Sequence, residues 1–171
     1  PFLDGNGRLG RLLITFILCA DGLLSKPLLY LSLYFKAHRQ QYYDYLQSVR
    51  DTGDWESWIK FFLEGVIQTA TQAVSTAQKI MALFVDDRKK IEGLGRSAPS
   101  ALIVHHYLEK HSVTDSAKIA RNCHMTLPTA LKVIRHLETL SIIKEMTGKE
   151  RHKVYSYKPY LDILSEEIGN F

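Results

Sequence analysis

The stretch from Trp55 to Gly93 constrains the fold more than any other part of the chain. It contains no proline, and Trp58, Phe61, Phe62, Val66, Ala70, Ala73, Ala77, Ile80, Leu83 and Phe84 recur at helical spacing. That spacing lines apolar side chains along one face of an α-helix, so the stretch predicts one long helix or two joined at a kink. Gly65 is a blemish in it, because glycine weakens a helix interior. Asp54 stands where an N-cap belongs, and Arg88, Lys89 and Lys90 suit the negative end of the helix dipole. A chain organised around such an element is mainly α.

The cluster Gly93, Gly95, Ser97 and Pro99 interrupts the periodicity, and the sequence places a domain boundary there, giving residues 1–95 and 96–171. In the first part, a helix beginning at Gly7 or Arg8 runs to Ala20, and its near-continuous apolar character predicts a central buried helix. Asp21-Gly22 ends it, and Lys26-Pro27 lies in a loop. Ser32 is read as the cap of a short helix carrying Leu33, Tyr34 and Phe35. A helix over 38–51 holds Tyr42, Tyr43, Tyr45, Leu46 and Val49. After the boundary the pattern predicts a helix over 98–111, then a helix capped by Thr114 and ending at Cys123. The turn His124-Met125-Thr126 leads to a helix over 127–140, with Pro128 tolerated in the first turn. Strands over 142–147 and 152–157 flank a tip at Thr147-Gly148-Lys149, and a helix over 160–168 closes the chain. This is the order of a winged helix-turn-helix with a small β-hairpin.

Composition excludes several classes. Of 171 residues, 46% are apolar and 23% charged, which supplies a core and excludes disorder. The longest apolar run, Leu12 to Ala20, is too short to span a bilayer. Cys19 and Cys123 are far apart and make no disulfide framework, so a reducing cytoplasm is the expected compartment. The formal charge of +4 is unevenly spread: residues 118–158 hold nine Lys/Arg against three Asp/Glu. A local basic excess is the footprint of a phosphate-binding surface, although a solvated face reads the same way.

Gly5-Asn6-Gly7-Arg8-Leu9-Gly10 matches G-x-G-x-x-G, but no strand precedes it and Asp21 falls too early for a dinucleotide-binding unit. The chemistry of an anion site is nevertheless present. Gly5 and Gly7 can take positive φ, successive N–H groups form a nest, and the following helix adds its positive end. Arg8 and Arg11, one turn apart, offer guanidinium forks for phosphate, and Asp4 is a hard oxygen ligand suited to Mg²⁺. An ordinary glycine turn flanked by surface arginines is the alternative.

Pro1-Phe2-Leu3-Asp4-Gly5-Asn6-Gly7-Arg8-Leu9-Gly10-Arg11 resembles the signature of Fic-domain proteins, His-Pro-Phe-x-Asp/Glu-Gly-Asn-Gly-Arg-x-x-Arg. Pro27 to Ser32, Tyr42-Tyr43-x-x-Leu46, and Gly53-Asp54-Trp55 with Trp58 and Phe61-Phe62 resemble later helices of bacterial Fic proteins. The winged helix resembles the tail of a common bacterial Fic architecture. The resemblance implies the C-terminal portion of a Fic-type helical bundle. It also implies a protein adenylyltransferase, which transfers AMP from ATP to a Ser, Thr or Tyr hydroxyl of a target protein. Asp4 would bind Mg²⁺, and Gly5, Asn6 and Gly7 would hold the α- and β-phosphates. Arg8 would contact the outer phosphates, while Arg11 would contact the γ-phosphate or pair with an inhibitory Glu. Leu9 and Gly10 complete the motif, and Phe2 would anchor the loop. Tyr42 and Tyr43 resemble the pair beside the adenine, with helix packing the alternative, above all for Tyr43.

The family's general-base His stands immediately before the position of Pro1, so the expectation is a chain that forms part of a longer protein and is inactive alone. Family members often dimerise, and a homodimer is a further expectation. In the second domain, Thr129, Lys132, Arg135 and His136 on the recognition helix, with Thr126 and Val133 beside them, and Lys149, Arg151 and Lys153 at the wing, are the candidate DNA contacts. Leu131, Ile134 and Leu137 are the expected core. Winged helices also serve as docking modules. A DNA-binding regulator with a Fic remnant and a Fic relative using another nucleotide donor remain alternatives.

Overall fold

The computed structural model describes residues 6–24 and 31–169, the side chains of Asn6, Arg8 and 167–169 aside. Among the described residues there are eight α-helices and one three-stranded sheet. Packing divides the chain inside its longest helix, into Pro1–Ser75 with Glu167–Phe171 and Thr76–Glu166. Each unit has its own core. The segment Gly93–Pro99, where the sequence suggests a boundary, lies within the second unit, because Ile91, Leu94 and Ala101 belong to that unit's core.

The first unit contains α1 (Asn6–Ala20), α2 (Leu31–Ala37), α3 (Arg39–Thr52) and the first half of α4 (Trp55–Glu92). Gly53 ends α3 in the left-handed conformation, φ 73°, and donates its N–H to the Val49 carbonyl at 3.1 Å, a stop that glycine takes without a Cβ clash. Asp54 then caps α4 by accepting the Ser57 N–H at 3.1 Å. That bond, together with the Ser57 hydroxyl, holds the Asp54 carboxyl below its ordinary range. α4 is one unbroken helix rather than two. Gly65 sits inside it for a packing reason: a Cβ there would stand 2.6 Å from Cδ1 of Tyr34, so the missing side chain admits the tyrosine ring.

Leu31, Tyr34, Phe35 and Phe61 are buried at the centre of this unit, and Ile14, Leu18, Tyr42, Tyr45, Trp58, Phe62 and Val66 pack around them. Two expectations are corrected. Ser32 lies inside α2 rather than capping it. α1 is not a buried central helix: Ile14 and Leu18 reach the core, while Leu12, Leu13, Phe16 and Ile17 are each about half exposed. A nearly continuous apolar run, broken only by Thr15, carries no broad polar face to mark which side lies open.

The second unit contains the rest of α4, a 3₁₀ turn at Gly95–Ser97, α5 (Ala98–Lys110), β1 (Val113–Asp115), α6 (Ser116–Asn122), α7 (Leu127–Thr139), β2 (Lys144–Glu145), β3 (Val154–Ser156) and most of α8 (Lys158–Gly169). The sheet order is β1-β3-β2, antiparallel throughout, with Thr114 opposite Tyr155 and Lys144 opposite Ser156. β1 was not expected. Val113 and Thr114 are β-branched and suit a strand. Thr114 is therefore a buried strand residue, and Asp115 is the cap of α6, accepting the Lys118 N–H at 2.8 Å. Thr126 caps α7, with Pro128 in its first turn.

The expected hairpin is shorter than its sequence pattern, since Ile142 and Ile143 are drawn into the core instead of pairing as strand. Its tip is organised by the Glu145 carboxylate, which accepts the N–H groups of Thr147 (2.7 Å) and Gly148 (3.0 Å) and the Thr147 hydroxyl. These bonds hold the Glu145 carboxyl below its usual range. Gly148 and His152 both have positive φ.

The second core also encloses a polar chain. Asp87, His105 and Tyr157 are all buried. The Tyr157 hydroxyl donates to Asp87 Oδ2 at 2.7 Å, and Lys90 Nζ donates to Asp87 Oδ1 at 2.6 Å. His105 Nε2 lies 3.1 Å from the Tyr157 oxygen. Tyr157 has a single proton, committed to Asp87, so Nε2 of His105 must carry the hydrogen of that second bond. His105 Nδ1 is then a bare acceptor; it is buried without a hydrogen-bond partner, 3.4 Å from Glu109 Oε1. Burial lowers the His105 pKa and, with the Asp87 bond and charge, raises that of Tyr157.

Among the described residues no helix is long and apolar enough to cross a membrane, and both cysteines are free.

Candidate functional site

α2 and α3 follow one another almost without interruption, and Ser32, Lys36, Arg39 and Tyr43 recur at helical spacing along them. With Arg11 of α1, Phe35 and Tyr42 they line a hollow of about 610 Å³ in the first unit. Lys36 and Arg39 are exposed and Arg11 half-buried. None of the three has an acidic partner among the described residues, and no carboxylate lines the hollow. Three uncompensated cations around one concavity make a field that favours a multiply charged anion.

The two tyrosines differ. Tyr42 packs on the aromatic core, 5.1 Å from Phe35 and 5.3 Å from Trp58 between ring centroids. Tyr43 is half exposed, and the Arg39 guanidinium lies 5.7 Å from its ring centroid. Packing is therefore the main role of Tyr42, whereas the sequence assigned that alternative above all to Tyr43. The guanidinium and the ring make a cation–π contact at an exposed position.

The motif residues fall as follows. Asp4 and Gly5 lie outside the described residues. Asn6 opens α1, so Gly7 is helical rather than a positive-φ nest residue. The start of a helix stands at this point, with no acidic residue in its first turn to oppose an anion. Arg8 is in the first turn, and Leu9 and Gly10 are exposed. Arg11 turns back along the helix, its Nη1 3.5 Å from where a Cβ on Gly7 would stand. Arg11, Tyr42 and Tyr43 are thus brought together. Lys36 and Arg39 escaped the sequence reading, although the 32, 36, 39, 43 spacing was a signal that could have found them.

In the second unit, Lys132 and Arg135 are exposed on α7, and Lys149, Arg151 and Lys153 are exposed between β2 and β3. Thr129 and His136 are half-buried; Nδ1 of His136 is buried without a hydrogen-bond partner. Val133 is core, and Leu131, expected in the core, is only half-buried. Among the described residues no group of three or more His, Cys, Asp or Glu is placed to hold a metal ion.

A protein named protein adenylyltransferase Fic from Culex quinquefasciatus is 34% identical over 113 residues, 60% of this chain. One of the same name from Aedes aegypti is 41% identical over 64 residues, 37% of this chain. These similarities support a relationship to the Fic family. The chain's matches span 21% of the first relative and 11% of the second. No family model matches the chain.

Proposed function

We propose that the first unit is the C-terminal portion of a Fic-type bundle and contributes the phosphate- and base-contacting side of an ATP site in a protein adenylyltransferase. The observation that carries this reading is the hollow in which Arg11, Lys36 and Arg39 meet the open face of Tyr43, in a chain similar to proteins of that name. The cations and the start of α1 suit the triphosphate, and Tyr43 under Arg39 suits the purine. The described lining fits polyphosphate oxygens and offers no carboxylate for Mg²⁺; the metal's protein ligand would be Asp4. Mg²⁺ on the phosphates would neutralise charge on the leaving pyrophosphate.

In adenylyl transfer a target hydroxyl attacks the α-phosphorus, the bond to the bridging oxygen breaks, pyrophosphate leaves, and the hydroxyl proton passes to a general base. No described histidine lines the hollow. His38 is committed to structure, with Nδ1 3.0 Å from the Tyr34 carbonyl and its ring against Tyr34. The role of this chain is therefore binding and orientation of the nucleotide. Calorimetric titration with ATP and Mg²⁺ tests it. Binding that weakens about tenfold in Arg39→Gln and in Arg11→Gln is expected; absence of binding, or equal binding by these variants, overturns it.

A second reading concerns the second unit: a winged helix-turn-helix in which α7 and the β2–β3 turn meet DNA. It is favoured by the exposed cations Lys132, Arg135, Lys149, Arg151 and Lys153 on those two elements.

A further inference from the structure

Two hollows lined by described residues of the second unit differ in electrical character. One, about 500 Å³, is lined by Arg88 and Lys89 together with Glu92 and Glu109, so its cations are balanced. Arg88 reaches Glu109 at 3.7 Å and Lys89 reaches Asp86 at 3.5 Å. The other, about 340 Å³, lies between the start of α5 and the first two turns of α7. Arg96, Ser97 and Ser100 line one side; Thr129 and Lys132 line the other over Val133. No acidic residue lines it, and neither Arg96 nor Lys132 has an acidic partner among the described residues. Ser97 occupies the N-cap position of α5 without using its hydroxyl as a cap, and Ser100 likewise makes no side-chain hydrogen bond. Two cations with unspent donors and two idle hydroxyls thus face one concavity.

We infer that this hollow is a phosphate site that takes a backbone phosphate of duplex DNA, gripped by Arg96, Lys132 and the hydroxyls of Ser97 and Ser100. The guanidinium fork and the ammonium neutralise the phosphodiester, and the serines donate to its non-bridging oxygens. DNA is the source rather than a free phosphate because both cations are exposed. A lone anion at two solvated charges is weakly held, whereas a polyanion gains from every further contact through counterion release. Further contacts are at hand, since Arg135 lies one turn beyond Lys132 on the exposed side of α7. The site places Arg96 and α5 in the interface, outside the recognition helix and wing.

The inference rests on the nucleic-acid reading of the second unit, and the experiment separates the two. The whole chain is titrated into a labelled duplex of about 20 base pairs, at salt from about 50 to about 200 mM, with fluorescence anisotropy as readout. Arg96→Gln and Lys132→Gln are each expected to weaken binding about fivefold and to lower the salt slope by about one, and the double variant to weaken it tenfold or more. Lys60→Gln, in the first half of α4, is the control and should bind like the unaltered chain. Thermal melts of the variants should match the unaltered chain, because both side chains are exposed. Failure of the unaltered chain to bind duplex overturns the nucleic-acid reading and the phosphate site with it. Binding that survives Arg96→Gln and the double variant overturns the site alone. In a third arm, millimolar inorganic phosphate should leave the Ser97 and Ser100 amide resonances in place while duplex shifts them. Saturable shifts with inorganic phosphate and none with duplex would make it a free-anion site and overturn the assignment to DNA.

Discussion

The two units bury different things. In the first, the described residues enclose four apolar side chains, three of them aromatic, and leave much of the apolar surface of α1 and of Trp55, Ile59, Leu63 and Ile67 on α4 exposed. In the second, fourteen side chains form one closed core, and a chain of hydrogen-bonded polar groups is sealed inside it. The second unit therefore contains the means of its own stability. The first encloses less, and keeps Lys36, Arg39 and half of the Tyr43 ring in the open. The contrast is one of a closed core against an open apolar surface, and substitutions can test it.

The largest effect should follow Leu108→Ala, which empties a fully buried site of the second unit. A loss of about 3 kcal/mol in urea unfolding is expected, and a loss below 1 kcal/mol would show that this core is not closed. Tyr157→Phe should cost about 2 kcal/mol, since it leaves Asp87 Oδ2 and the His105 Nε2 hydrogen unpaired in the interior. A smaller effect is expected from pH. His105 has a native pKa below its ordinary 6.5, so below that pH the unfolded chain binds a proton that the native unit resists. Stability should then be full above 6.5 and decline as pH falls, and His105→Gln should flatten the decline between about pH 5 and 7. The depressed carboxyls of Asp54, Asp115 and Glu145 act at lower pH than His105.

In the first unit, Gly65→Ala should destabilise by about 1 kcal/mol, because the new methyl meets the Tyr34 ring and outweighs the gain in helix propensity. Leu13→Gln should change stability by less than about 0.5 kcal/mol, since the side chain is half exposed. A large loss there would show that α1 is covered after all, and would remove the contrast between the units.

Several of these features can be read in the sequence, for physical reasons. The spacing along α4 and the cap Asp54 are local signals, and local chemistry decides them. Thr114 misled because a β-branched hydroxyl residue before a helix reads equally as cap or strand, and only its pairing with Tyr155 decides. The burial of α1 misled because an apolar run states a preference, not what covers it. At the hollow, Arg11 stood in the motif, while Tyr43 came only through the family resemblance, with helix packing as its alternative. Lys36 and Arg39 were hidden, because a lysine and an arginine on a helix resemble a solvated face until Arg11 closes the opposite side. Arg96 was hidden likewise in a glycine-rich turn.

The polar chain of Asp87, Tyr157 and His105 has a spectroscopic consequence. Its two shared hydrogens, on the tyrosine oxygen and on His105 Nε2, are shut away from solvent. They should exchange with water only when the unit opens, and appear as sharp downfield proton resonances. Their persistence would time the opening of this interior, with no added label.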